Sequence, residues 1–341
     1  MSKPFRVVLA GCGGISAAWL NAVKEMPGVE LAGLMDIRVE AARRRRDEFQ
    51  LARAVAGDDL TAMLRTLKPD VLFDCTIPEA HFATTLLALR HGCHVLGEKP
   101  MADSIEHAKK MAAAAKKAGL VYAVMQNRRY QKEIRAYRGL LAGGRLGALT
   151  TLNCDFYIGA HFGGFRDGMK HVLLLDMAIH TFDAARFISG ADPVSVFCRE
   201  WNPPGSWYAH GASAMAVFEM SGGIVYNYRG SWCSEGLNTS WECDWRATCA
   251  RGSAAWNGGG LFRAERVVRG GGFLSKCEDV PVKVPPGAKQ GGHKGCIADF
   301  LDCLRKGRAP ETACQDNIKS LAMVFGAIES AGAGRPVKIR A

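Results

Sequence analysis

No apolar run in this sequence approaches the ~18–20 residues that a helix needs to cross a bilayer. The start, Met1-Ser2-Lys3-Pro4-Phe5-Arg6, leads straight into a short strand-like run, without a longer apolar region or a small-residue cleavage site. Both absences argue against a membrane partner and for a cytoplasmic protein. C-x-x-C pairs are lacking as well. Cys12, Cys75, Cys93, Cys154, Cys198, Cys233, Cys303 and Cys314 stand singly in apolar or element-like stretches, and Cys243 and Cys249 lack the paired spacing of a zinc knuckle. The twelve cysteines are expected to be reduced, mostly buried thiols, with no metal site. A net charge of +11 raises the question of nucleic acid, yet there is no basic stripe interleaved with aromatics and no nucleic-acid motif. The densest run, Arg43-Arg44-Arg45-Arg46, lies in an Ala- and Glu-rich segment and reads as a solvated helix face. Nucleic acid is therefore not an expected partner, and the excess charge is left to an anionic cofactor or substrate. Internal repeats are absent, and low complexity is limited to glycine clusters at 257–260 and 270–272.

What is present fits two domains. The chain has 341 residues, 48% of them apolar, enough to bury two cores. From Phe5 to Met125, strand and helix patterns alternate: Phe5–Ala10, Glu30–Met35, Val71–Cys75, His94–Gly97 and Val121–Met125 read as strands. Ile15–Met26, Val39–Phe49, Glu79–His91 and Ser104–Ala118 read as helices. This repetition predicts an α/β, doubly wound parallel sheet over 1–126. Beyond it, helices are expected at Arg129–Leu141 and His171–Ile188. They are joined by strand-like runs at Leu149–Tyr157, Val194–Glu200, Ala214–Met220, Ile224–Ser231, Ser240–Thr248 and Phe262–Val268. Two helices follow, near Gly292–Lys306 and Cys314–Ala331. Runs of strands without crossover helices predict an α+β domain with a mainly antiparallel sheet over 127–341, whose final segment could return to the first domain.

Gly11-Cys12-Gly13-Gly14-Ile15-Ser16 follows the first strand and opens the first helix. It approximates the dinucleotide fingerprint G-x-G-x-x-G, with Ser16 in the third position. Gly11 would allow the tight turn and Gly13 a close approach of backbone to a pyrophosphate. A small third residue lets helix pack on strand. The N–H groups around Gly14 and Ile15, at the positive end of the helix, suit phosphates. Asp36 stands at the end of the second strand, ~20 residues on, where an acid binding the ribose hydroxyls belongs. A carboxylate there repels a 2′-phosphate and favours NAD, while the neighbouring Arg38 leaves NADP open. The alternative is a glycine turn in a non-nucleotide α/β protein, with Asp36 as a helix cap.

Two further stretches carry a family resemblance: Thr76-Ile77-Pro78-Glu79-Ala80-His81, and His91-Gly92-Cys93-His94-Val95-Leu96-Gly97-Glu98-Lys99-Pro100-Met101-Ala102. With Asp176-Met177-Ala178-Ile179-His180, a D-x-x-x-H, they resemble the glucose-fructose oxidoreductase / inositol dehydrogenase (Gfo/Idh/MocA) family over essentially the whole chain. The resemblance implies a Rossmann domain followed by an open-sheet domain that is commonly an oligomer interface, hence a homodimer or homotetramer. It further implies that Thr76, Pro78 and His81 line the cofactor cleft, that Glu98 and Lys99 lie beside the nicotinamide ribose, and that Gln126 and Asn127 lie near the ring. Where many members have glycines before the D-x-x-x-H, this chain has Lys170-His171-Val172-Leu173-Leu174-Leu175.

Oxidising a carbinol needs a base for its proton and a group that stabilises the developing alkoxide. Lys99 follows a strand and should lie at the carboxyl edge of the parallel sheet, where ligands bind. Asp176 and His180 are i,i+4 on one expected helix and share a face. Polar groups on a stripe of a Leu-, Met-, Ile- and Phe-rich helix are costly without a purpose or partners. His180 is assigned as general base and Lys99 as its electrostatic partner. Asp176 would bind a substrate hydroxyl or orient the base. A structural Asp–His pair is the alternative, and Asp183, three residues on, reads as structural. Tyr157, His161, Phe165 and Arg166 lie in a glycine-rich loop just before the expected catalytic helix, where Tyr157 and Arg166 are candidate substrate contacts. The loop Asn202–Tyr208 offers aromatics that either face a sugar ring or anchor the loop. The expected function is a dehydrogenase of a sugar, sugar acid or cyclitol. A glycoside-cleaving enzyme using transient oxidation, and a non-enzymatic sensor, are the alternatives.

Overall fold

The structure, a computed structural model, describes residues 3–24, 26–284 and 291–341. The chain divides into two units, Met1–Asn127 with Gly291–Ile318, and Arg128–Gln290 with Lys319–Ala341. The first alternates β1 (Phe5–Ala10), α1 (Ser16–Val23), β2 (Val29–Met35), α2 (Val39–Glu48), β3 (Val55–Gly57), α3 (Leu60–Leu67), β4 (Val71–Asp74), α4 (Pro78–Arg90), β5 (His94–Gly97), α5 (Ile105–Ala118) and β6 (Tyr122–Val124). Among the described residues the sheet has six strands, all parallel, in the order β3-β2-β1-β4-β5-β6. All four residues of β4 are buried, as befits a strand covered on both faces. The order reverses between β1 and β4, the switch point at which doubly wound sheets bind ligands. Ser104 caps α5, its hydroxyl accepting the His107 N–H at 3.1 Å, and Gly119 closes that helix in the left-handed conformation. β3 and α3 are not expected from the pattern: β3 is too short for a periodic signal, and α3 is one small amphipathic helix capped by Asp59.

The second unit begins with a 3₁₀ turn reaching Tyr130, followed by α6 (Lys132–Ala142) and β7 (Leu149–Tyr157). Then come α7 (Ile179–Ser189), β8 (Pro193–Trp201), β9 (Ser213–Met220), β10 (Val225–Ser231), β11 (Asp244–Cys249), β12 (Gly252–Trp256), β13 (Phe262–Arg269) and β14 (Lys276–Asp279). α8 (Gly292–Lys306) belongs to the first unit. α9 (Cys314–Ala333) carries the chain back into the second, and β15 (Val337–Lys338) ends it. The described strands form a nine-stranded sheet, β14-β13-β12-β11-β7-β10-β9-β8-β15, antiparallel except for β7 beside β10. Alternation sends Leu152, Cys154, Phe156, Ala216, Phe218, Tyr226, Tyr228 and Trp245 inward, where they pack with Leu174, Ile179 and Phe182. Asn153, Asp155, Met215, Val217 and Arg229 alternate onto the other face.

Among the boundaries that differ from those expected, three have a clear local cause. The strand expected at Ser240–Thr248 starts at Asp244, because Cys243 has φ +69 and the chain turns before it. The helix expected at Arg129–Leu141 starts at Lys132, after the 3₁₀ turn. The helix expected at His171–Ile188 opens as π-helix over Leu173–Ala178 before becoming α7. All twelve cysteines are free and ten are buried. No helix of the described residues is long and apolar enough to cross a membrane.

Candidate active site

One row of paired residues crosses the parallel sheet at its carboxyl edge: Met35 beside Ala10, Ala10 beside Asp74, Asp74 beside Gly97, and Gly97 beside Val124. The leading cofactor candidates all lie within a few positions of that row. Gly11 follows β1, Asp36 follows β2, Thr76 and Pro78 follow β4, Glu98 and Lys99 follow β5, and Gln126 and Asn127 follow β6.

The glycine loop is fastened from two sides. Asp36 accepts the Cys12 N–H and the Arg38 N–H, each at 2.9 Å, so its carboxylate bridges the ends of β1 and β2. The Gly13 carbonyl accepts the Ser16 hydroxyl at 2.6 Å and Arg45 Nη2 at 2.8 Å. Arg45 therefore leaves the solvated face expected for the arginine run. Its side chain is only 12% exposed, and it also reaches Glu48 at 2.7 Å. Nothing lies within 4 Å of where a Cβ at Gly13 or Gly14 would stand. The protein itself does not demand glycine there, and the open room is what a pyrophosphate needs to approach the backbone. Gln126 is 1% exposed, and no partner for its Nε2 is found among the described residues, a donor suited to a bound polar group. The residues present fit a dinucleotide.

His81 lies beneath this edge rather than on it. It is buried, with Nδ1 3.0 Å from Asp74 Oδ2, and Thr76 Oγ1 also bonds Asp74. Burial works to lower the His81 pKa, and the Asp74 carboxylate outweighs it, so the net shift is upward. A raised folded-state value stabilises the fold fully below the unfolded pKa of about 6.5 and loses that contribution as pH rises through the folded value. His81→Gln should therefore lower the melting temperature more at pH 6 than at pH 9. Equal losses at the two pH values would contradict the protonated pair.

Glu98 is buried, accepts Trp19 Nε1 at 2.6 Å and the Lys99 N–H at 3.1 Å, and stands 3.8 Å from His293 Nε2, within electrostatic reach and beyond a hydrogen bond. Burial alone would raise its pKa. The His293 imidazole, the Trp19 N–H and the Lys99 ammonium together hold it below the usual carboxylate range. Lys99 is half-buried next to it.

In the second unit, the segment from Val172 to Ile188 is buried apart from Leu175, Asp176 and His180, which keep partial exposure. Asp176 lies in the π-helical turn, a distortion frequent at functional sites. Its side chain is 12% exposed and takes Arg166 Nε at 2.6 Å. The Arg166 guanidinium lies over the rings of Phe162 (4.9 Å) and Phe165 (4.7 Å). Phe162 and Trp241, both half exposed, lie beside each other, Phe162 against Trp232 and Trp241 against Phe156. The charge of Arg166 is thus matched by Asp176 within the protein. Asp183 is structural: Arg129 grips both its oxygens at 2.7 and 2.6 Å, and the Ser320 hydroxyl donates at 2.7 Å.

Tyr157 is not brought to this group. Alternation along β7 sends Phe156 inward and Tyr157 to the outer face, with Asp155 and Arg229. Trp207 and Tyr208 both donate to the Ala160 carbonyl, at 3.0 and 2.6 Å, and His161 stacks on Trp207. That loop anchors itself. Sequence reasoning missed Arg45, whose neighbours disguise it as a solvent-facing charge. It also missed His293, which no motif marks, and Trp241.

Comparison with known proteins places this geometry. Residues 5–126 match the GFO/IDH/MocA oxidoreductase family with its NAD-binding Rossmann fold, and residues 134–255 match the GFO/IDH/MocA C-terminal domain. A D-apiose dehydrogenase of Paraburkholderia graminis is 27% identical, covering 99% of this chain and 90% of its own. The D-glucoside 3-dehydrogenase of Escherichia coli is 31% identical over 55% of each. The crystal structure of an Agrobacterium radiobacter oxidoreductase in complex with NAD+, L-tartaric acid and magnesium shares the fold at TM-score 0.84 and 23% identity, covering 98% of both chains. With a fingerprint loop at the switch point, an unpartnered amide nitrogen at Gln126 and both halves matched, the chain belongs to the GFO/IDH/MocA family of NAD-binding oxidoreductases.

Proposed function

We propose that the protein oxidises a hydroxyl of a sugar, sugar acid or cyclitol with NAD. The observation that carries this is the Asp176–His180 stripe, the only polar pair left partly exposed along a segment that is, apart from these two and Leu175, buried from Val172 to Ile188. Relatives that are sugar dehydrogenases support the substrate class. NAD, when bound, supplies the hydride acceptor. The chain's own residues handle the proton and the charge. His180 takes the hydroxyl proton, its imidazole being suited to a base near neutral pH. The Lys99 ammonium stabilises the developing alkoxide. Asp176, held by Arg166, orients the substrate hydroxyl or the base. Gly11, Gly13, Gly14 and Ile15 present the loop backbone to the phosphates, and Asp36 meets the ribose hydroxyls. Thr76, Pro78, Glu98, Gln126 and Asn127 complete the cofactor side.

A second copy of this chain is proposed on the outer face of the nine-stranded sheet. There, exposed Phe197, Met215 and Val217 adjoin the polar group Asn153, Asn227, Asp155 and Arg229. The free, buried thiols suit a cytoplasmic setting.

The test is a screen of sugars, sugar acids and cyclitols with NAD and with NADP, read at the NADH absorbance band. Turnover is expected with NAD, at a kcat/KM ~10-fold or more above NADP, because Asp36 meets a 2′-phosphate with like charge. Cleavage of an aryl glycoside without net NADH would instead support the transient-oxidation alternative.

A further inference from the structure

The carboxyl edge of the parallel sheet is completed by a residue from far along the chain. His293 lies in the first turn of α8, yet Trp19, Glu98 and Asn127 surround its ring. Its Nδ1 is 3.4 Å from Asn127 Nδ2 and its Nε2 is 3.8 Å from Glu98 Oε1. The amide nitrogen of Asn127 can only donate, so Nδ1 accepts, which leaves Nε2 as the nitrogen that carries a ring proton, facing the carboxylate. Glu98 takes the Trp19 indole N–H on the same oxygen and the Lys99 backbone N–H on the other. The result is a polar chain, Asn127–His293–Glu98–Lys99, joining the residues that follow β6 to those that follow β5.

We propose that His293 is a positioning residue for cofactor binding: it hydrogen-bonds Asn127 through Nδ1, turns Nε2 toward the Glu98 carboxylate at electrostatic range, and so ties the ends of β5 and β6 into one binding-competent arrangement. The proposal rests on the reading of this edge as the dinucleotide site. A tie of this kind needs an acceptor toward Asn127 and a polar N–H turned toward the Glu98 carboxylate. Glutamine supplies both, through Oε1 and Nε2. Phenylalanine keeps a ring against Trp19, 6.3 Å away in the native pair, and supplies neither. At 21% side-chain exposure, His293 sits where either replacement can be accommodated.

The experiment measures NAD affinity by calorimetry, without substrate, for the full chain and for His293→Gln, His293→Phe and His293→Ala, with melting temperatures for each. Weakening of ~10-fold is expected for Phe and for Ala, and of no more than ~3-fold for Gln, at similar melting temperatures. In turnover, the Phe variant should raise the KM for NAD and leave kcat nearly unchanged. A Phe variant that binds like wild type while Gln does not would assign His293 to packing and overturn the bridge. Ala carries the same comparison if Phe does not fold. If the unaltered chain fails to bind NAD, the dinucleotide reading itself falls, and the bridge as a cofactor device with it.

Discussion

Replacing Lys99 by Met is expected to lower kcat by about 10²–10⁴-fold while leaving NAD affinity within a few-fold of wild type. Methionine keeps much of the length and apolar stem of lysine and removes only the charge and the donors. The backbone around the site is held independently of the side chain: the Lys99 N–H is fixed by Glu98 Oε2 and Pro100 is buried. The loss should therefore be confined to the step in which negative charge builds on the substrate oxygen. His180→Ala should cost a comparable factor, because it removes the proposed proton acceptor from the partly exposed stripe of its helix. A double variant should lose much less than the product of the two factors, since in the proposed mechanism the two groups serve one proton transfer. Initial rates and calorimetry on the same preparations separate chemistry from binding. Wild-type rates in either single variant would remove that residue from the mechanism.

Gly11→Ala is expected to damage the fold and the cofactor site together. Gly11 has φ +90, and a Cβ there would stand 2.5 Å from the Cys75 carbonyl oxygen and 2.6 Å from its carbon. Both are backbone atoms of the adjoining chain, so no side chain can move aside. The neighbours are pinned as well: the Gly11 N–H bonds the Met35 carbonyl at 2.8 Å and the Cys75 N–H bonds the Ala10 carbonyl at 2.7 Å. Unfavourable φ and the clash together should cost about 3 kcal/mol, a fall of ~6–12 °C in the melting temperature of a folding unit the size of the first one. NAD affinity should fall at least ~10-fold, because the displaced loop no longer presents its N–H groups in register. Gly13→Ala makes the control. Its Cβ meets no protein atom, so stability should hold while NAD binding weakens. Equal melting temperatures for Gly11→Ala and wild type would refute the steric argument.

How much of this was legible in the sequence followed the range of the signal. The parallel sheet was readable because its buried strands are continuous apolar runs and its helices carry their own caps and stops, as Ser104 and Gly119 do. The fingerprint and Asp36 were readable because short-range spacing determines which strand ends they occupy. β3, β12 and β14 were not, since three to five residues hold no periodicity. Tyr157 was grouped with the loop residues His161 and Arg166 because nearness in sequence hides the two-residue alternation of β7 that turns it to the other face. Arg45 and His293 failed for the opposite reason: each acts at a point that only tertiary structure brings near. The π-helical turn around Asp176 was also beyond sequence reading, since its composition is that of an ordinary helix.

The return of 291–318 to the first unit has a consequence for biosynthesis. β6 is bonded to that segment directly, the Val124 N–H to the Thr312 carbonyl at 3.0 Å and Ala123 bridged to Ala313, while Arg305 reaches the Gly28 carbonyl and α8 packs on α1. A ribosome releases the amino-terminal unit first, but releases it without one wall. The nascent sheet must wait, with β6 and α1 uncovered, until residues 128–290 and then the 291–318 segment itself have been translated. A fragment cut after Asn127 would inherit the same open flank permanently, so the natural boundary for expressing this unit alone is a graft that joins residue 127 to 291.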